Sequence, residues 1–262
     1  MPTRAVGKIL LPVYVPVNES IRYSLIVYLK SLMEDLDIDD IDILTIEKRF
    51  IEIVITGSDA RIALNFLQRE FGKPLKWEDI REELTFRGFV RAMNDYAVYV
   101  DIGLLEPDFF KIKIPFSNFV QRIFRVSKKI DKELFSLFGV RQYFPLYVKL
   151  DFNREIDEQK RIIYGCIALT TARMFRKWIS SRLDRLIILG ATRSQVEKAI
   201  KNTGHLRDIV KIERLGFLEH AVICKWGTSA RGLIPELGPF LPYASFSVLM
   251  PRLLKKTIMH SN

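Results

Sequence analysis

His220 and Cys224 stand four residues apart in FLEHAVICKW, an apolar segment that predicts a β-strand. Alternation along a strand puts both side chains on one face. A thiol beside an imidazole is the raw material of covalent catalysis, because the thiolate is the nucleophile and needs a base or a cation to form near neutral pH. Lys225 adds such a cation. Four strand residues nevertheless span about 13 Å, beyond hydrogen-bond reach, and Val222 lies between the two on the same face. The expectation is a buried structural cysteine and no catalytic residues.

The residues that follow, KWGTSARG, offer a different chemistry. Gly227 permits a tight turn, and Thr228 or Ser229 can cap a following helix. Lys225 and Arg231 add charge where a helix start already attracts anions. Lys225, Gly227, Thr228, Ser229 and Arg231 are therefore candidate phosphate contacts. An ordinary strand-to-helix turn is the plainer alternative. The nucleotide-loop spacing Gly-x-x-x-x-Gly-Lys-Ser/Thr occurs nowhere in the chain, so an RNA phosphate fits better than bound ATP.

A second basic stretch is TARMFRKWISSRLDR. Arg173, Arg176 and Lys177 fall within one helical turn, and Arg182 and Arg185 continue downstream. Such cations neutralise phosphates and release counterions. Phe175 and Trp178 would stack on bases if exposed; the alternative is a solvated basic face with both aromatics in the core. The two cysteines and three histidines have no zinc spacing. The acidic run EDLDIDDIDIL lacks the glycine and closing glutamate of a calcium loop and reads as a solvated loop. Neither a metal nor a cofactor is expected.

These residues need elements to position them. The chain has 262 residues, 48% of them hydrophobic, and a net charge of +10. That suits two or three compact units. No apolar run is long enough to span a bilayer, and MPTRAVGK carries no signal core. With two cysteines in apolar surroundings, the reading is a soluble cytoplasmic protein without disulfides. The charge is uneven. Residues 1–83 hold 11 Lys+Arg against 15 Asp+Glu, residues 84–149 hold 11 against 6, and residues 150–262 hold 19 against 10. An anionic partner for the later parts explains this asymmetry, with heat adaptation or plain solubility as the alternatives.

Residues 1–80 read as strand (8–15), helix (from Asn18 or Ser20), two strands, and a helix capped by Ser58 or Asp59 and ended by Gly72. That is a small α+β unit. Residues 81–152 open with a hairpin, Phe86–Met93 and YAVYVDIG, turning at Asn94-Asp95. FFKIKIPFSNFV, the basic segment QRIFRVSKKIDKEL and the strand QYFPLYVKLDF follow. Residues 153–262 read as a segment that is helical in its second half, where Met174, Trp178 and Ile179 share a side, then strand, helix, strand, strand, short helix, strand. That order resembles a ferredoxin-like unit. The fold class is α+β in three pieces.

FRGFVRAMNDYAVYVDIG, followed by KIPFSNFV and PLYVKLDF, resembles the S-one-type OB fold of ribosomal and other RNA-binding proteins. Gly88, Val90, Val100, Asp101, Gly103, Ile114, Pro115 and Ser117 sit where that pattern expects them; the stretch from Leu104 to Phe110 is longer and more acidic than it expects. The resemblance implies an RNA-binding face made of Phe89, Arg91 and Tyr99 with Lys111 and Lys113, flanked by Arg122, Arg125, Lys128, Lys129 and Lys132. A barrel filled by the aromatics is the alternative. LGFLEHAVICKWGTSARGLIPELG resembles an archaeal family of hypothetical proteins with no assigned activity. The expected role is a non-enzymatic RNA-binding protein of archaeal translation or RNA metabolism, with a protein partner on the acidic amino-terminal unit. The rival is a protein–protein adaptor in a transcription or translation complex that makes no nucleic-acid contact.

Overall fold

The computed structural model describes residues 3–47, 49–81, 84–106, 110–154 and 156–260. They fall into two compact units, residues 1–80 with 102–109 and residues 81–101 with 110–262.

The first unit is a three-stranded antiparallel sheet with two helices. Its elements are β1 (Thr3–Ile9), α1 (Glu19–Ser31), β2 (Asp40–Ile46), β3 (Ile51–Gly57), α2 (Ala60–Phe71) and a two-residue β4 (Leu75–Lys76). The sheet order is β1-β3-β2. Strict alternation in β3 buries Ile51, Ile53 and Ile55. The Asn18 side chain caps α1 by accepting from Ile21 N–H (2.9 Å). Gly57 has φ 137°, and a Cβ there would meet the Asp37 carbonyl oxygen at 2.6 Å, so no other residue fits. The first strand begins earlier than expected, at Thr3, and ends before Pro12, which has no N–H for a ladder. Part of the acidic run is strand: Asp40 and Asp42 open β2 and pair with Lys30 (2.9 Å) and Arg22 (3.0 Å). A late segment, β7 (Leu104–Glu106), pairs in parallel with β4.

The second unit holds a closed five-stranded barrel and a four-stranded sheet. The barrel strands are β5 (Phe86–Met93), β6 (Ala97–Asp101), β8 (Lys111–Pro115), β9 (Pro145–Leu150) and β10 (Ile162–Ile167). The expected hairpin is β5–β6; Asn94 Oδ1 closes it by accepting from Tyr96 and Ala97 N–H. Two helices, α3 (Phe116–Phe124) and α4 (Lys132–Ser136), separate β8 from β9. Strand β10 runs parallel to β8 and antiparallel to β9, which closes the barrel in the order β5-β6-β8-β10-β9. The fifth strand thus comes from beyond residue 152, out of a segment whose first half the sequence leaves without an assigned element.

Helix α5 (Leu169–Ser180) leads from the barrel to β11 (Arg185–Leu189), α6 (Arg193–Asn202), β12 (Ile209–Arg214), β13 (Glu219–Cys224), α7 (Leu233–Leu237), β14 (Ser245–Leu249) and α8 (Pro251–His260). The sheet order is β12-β13-β11-β14, antiparallel throughout. Thr192 and Gln195 form a capping box on α6. An aromatic chain runs through the interior: Phe116 stacks on Phe135 (3.9 Å between centres), Phe119, Phe138, Phe175 and Trp178 continue it edge to face, and Phe144 stacks on Phe175. Polar bonds also join barrel to sheet. Arg87 Nη2 donates to the Leu215 carbonyl (2.9 Å), Ser247 Oγ to that of Gly139 (2.6 Å), and Arg141 to that of Phe246.

Candidate nucleic-acid interface

Two regions of the second unit gather cations around aromatic rings. The first is the outer wall of the barrel. Lys113 pairs with Tyr99 on β6 and with Tyr164 on β10, so the three lie in one row across adjacent strands. Strands stand about 4.8 Å apart, so the row is continuous. Lys113 Nζ and Arg154 Cζ both lie 5.3 Å from the centre of the Tyr164 ring. Lys111, one pleat along β8, is also half-exposed. Alternation places Ile112 and Ile114 inside the barrel and leaves Lys111 and Lys113 outside.

Phe89 is not open on that wall. It is 4% exposed, so the expected stacking role is corrected: it lies on the face opposite Val90 but under Arg87, whose guanidinium sits 5.9 Å from its ring and donates to the Leu215 carbonyl. A bulge between Val90 and Ala92 leaves Arg91 half-exposed. Arg122, Arg125 and Lys129 are exposed and Lys128 half-exposed around the end of α3, where Arg125 takes the left-handed cap (φ 63°). Tyr164 was missed because no strand is read from the sequence over its segment, which precedes the expected helix.

The second region is a corner built from three distant segments. Trp226 is 65% exposed, and the Arg252 guanidinium lies 3.3 Å from its ring centre. Two hollows of about 390 and 330 Å³ share Arg182, Trp226 and Arg252 in their walls. Lys255 and Lys256 line one; Lys225, Gly227, Thr228 and Ser229 line the other. The turn after β13 thus meets Arg182 from the turn after α5 and the first turns of α8. Asp184 is the carboxylate in these walls, and burial raises its pKa.

The basic helix divides. Arg173 and Lys177 are exposed. Arg176 Nη2 donates to the Arg122 carbonyl (2.6 Å), which satisfies the end of α3. Phe175 and Trp178 are fully buried, so neither meets a base; helical periodicity sends them inward with Ala172. Thr228 and Ser229 cap no helix. They lie in turns, and α7 starts only at Leu233. Arg231 is exposed. Sequence reasoning passed over Trp226 and the whole of α8, although Pro251 at a helix start and Leu254 and Ile258 four apart were visible signals.

Cys224 and His220 are both fully buried. Burial pushes the thiol up to about 11 and the imidazole down to about 3, with Arg214 and Arg193 adding to the latter. Both are neutral at pH 7, as the structural reading expects. No group of three or more His, Cys, Asp or Glu side chains is placed to hold a metal ion among the described residues. None of their helices is long and apolar enough to cross a membrane.

Fold and surface define a mixed α+β protein with a closed five-stranded barrel in the middle of its chain. Residues 8–76 match the DUF2110 N-terminal domain and residues 183–249 the DUF2110 C-terminal domain, together just over half of the sequence. The chain belongs to that family, and the barrel lies between its two matched domains. No curated protein matches the chain.

Proposed function

We propose that the second unit binds single-stranded RNA. The observation that carries this reading is Trp226, a large exposed aromatic with Arg252 on its ring and Arg182, Lys225, Lys255 and Lys256 around it. A base stacks on an aromatic face without regard to sequence, while cations follow the backbone. The Tyr99–Lys113–Tyr164 row repeats that combination on the barrel.

The barrel reads as an OB fold. Its strands, taken in chain order as one to five, run 1-2-3-5-4 and close on strand 1, with a helix after the third, which supports that reading. Strands two and three carry Tyr99 and Lys113, and the loop before strand five carries Arg154, where OB folds bind oligonucleotides. The carboxy-terminal sheet, counted likewise, runs 2-3-1-4, which supports the ferredoxin-like reading. The setting in archaeal translation or RNA metabolism, in the cytoplasm, comes from the sequence resemblance. A protein partner on the acidic first unit completes the proposal.

The test is binding of labelled single-stranded RNA, duplex RNA and DNA at two salt concentrations. Trp226→Ala should weaken single-stranded RNA binding about tenfold, within the 1–3 kcal/mol of one stacked base. Arg182→Glu/Lys255→Glu/Lys256→Glu should abolish it and reduce the salt slope. Binding that ignores salt, or no binding at low salt, rejects the reading in favour of a protein adaptor.

A further inference from the structure

A groove of about 810 Å³ lies in the barrel wall between α3, β9, β10 and the loop joining those strands. That size suits a small molecule and far exceeds one inorganic ion. Its cations are Arg122, Lys149 and Arg154. Arg154 shares its charge with Asp151 at 3.4 Å. Arg122 and Lys149 have no carboxylate partner among the described residues. The groove therefore holds three cations against one carboxylate.

Two of its polar groups are fixed. Arg122 Nη2 donates to Cys166 Sγ (3.2 Å), which holds the guanidinium at the wall with donors to spare. Asn118 gives its carbonyl oxygen to Ile167 N–H (3.0 Å), so its NH₂ group remains for a ligand. Lys149 faces Cys166 across the β9–β10 pairing, and alternation keeps its side chain outside the barrel. Register and packing therefore set the site before any ligand arrives, which lowers the ordering cost of binding.

We propose that this groove binds a phosphate monoester attached to a nucleoside. The charge matches: a monoester carries about −1.5 to −2 at pH 7, whereas a backbone diester carries one charge. Arginine supplies the paired donors that a terminal phosphate accepts. The remaining volume, with Leu150 and Pro115 in the lining, takes sugar and base. The ligand is either the phosphorylated end of an RNA or a free nucleotide. The RNA form of the proposal rests on the reading above; the nucleotide form does not.

The experiment titrates the full-length protein with AMP, adenosine, inorganic phosphate, and one RNA oligonucleotide carrying a 5′-phosphate or a 5′-hydroxyl. AMP should bind at least tenfold tighter than adenosine, and tighter at pH 7.5 than at pH 5.5, because the second phosphate proton leaves near pH 6. Lys149→Gln and, separately, Arg122→Gln should remove the AMP preference. Lys149→Gln should leave binding of the 5′-hydroxyl oligonucleotide unaltered. A 5′-phosphate preference that both variants abolish assigns the groove to an RNA end; AMP binding without that preference assigns it to a free nucleotide. Trp226→Ala should leave AMP binding unchanged, so failure of the RNA reading shows separately. Equal affinity for AMP and adenosine, or a preference that survives in both variants, overturns the proposal.

Discussion

Trp178 Nε1 donates to Glu213 Oε2 over 3.0 Å, joining helix α5 to the edge strand β12. The indole is fully buried against Phe144 and Phe175, and Arg185 lies over it at 5.2 Å. Trp178→Phe removes the donor and leaves a void. The urea midpoint should fall by the equivalent of about 1–3 kcal/mol. Folded Trp178→Phe should bind RNA as the wild type does. A loss of affinity at full folding would return this tryptophan to the binding surface.

His220 makes the fold acid-sensitive. Its imidazole takes a proton only near pH 3 in the folded chain but near 6.5 when unfolded. The unfolded state binds the extra proton, so this contribution is complete above pH 6.5 and is lost as pH falls toward 3. Each pH unit in that window costs about 1.4 kcal/mol. Urea melts at pH 7.5, 5.5 and 4.5 should show a shallower decline for His220→Leu than for wild type. Parallel declines would mean that His220 titrates freely.

His205 works in the opposite direction. Its Nδ1 lies 2.7 Å from Asp208 Oδ2 and its Nε2 2.7 Å from Glu236 Oε2, and these carboxylates raise its pKa. Its stabilisation is present below the ordinary value of 6.5 and disappears as pH rises through the raised one. His205→Gln should therefore lose stability at pH 5.5 and match wild type at pH 9. Equal loss at both values would make the bridge independent of charge.

Much of this was readable because it is local. The α6 capping box lies within four residues, and the β5–β6 turn depends on Asn94 alone. The resemblance named Lys111 and Lys113, and alternation in β8 leaves both outside. By contrast, the β8–β10 pairing joins residues some fifty positions apart and leaves no periodic mark. Phe89 does take the face that analogy gave it, but Arg87 lies over its ring and reaches the Leu215 carbonyl, a cover from over a hundred residues away that no local pattern announces. Trp226 stood in plain view, but its exposure depends on a turn at Gly227 (φ 90°) and on α8, over twenty residues away.

The two cysteines should separate chemically. Cys224 is buried with its thiol pushed up to about 11, whereas Cys166 is half-exposed at a groove wall. Iodoacetamide at pH 8 should add one label to the native protein, at Cys166, and a second only in denaturant. Rapid modification of Cys224 in the native state would contradict its burial.

The parallel β8–β10 contact also imposes an order of assembly on a chain emerging from the ribosome. Until Ile167 has been made, β8 and β9 each present a bare row of backbone donors and acceptors. A nascent chain halted near residue 152 is therefore a sticky intermediate, and β10 is its built-in closure. Circular permutants opened between residues 151 and 161 would keep all five strands while sending β10 to the other end of synthesis.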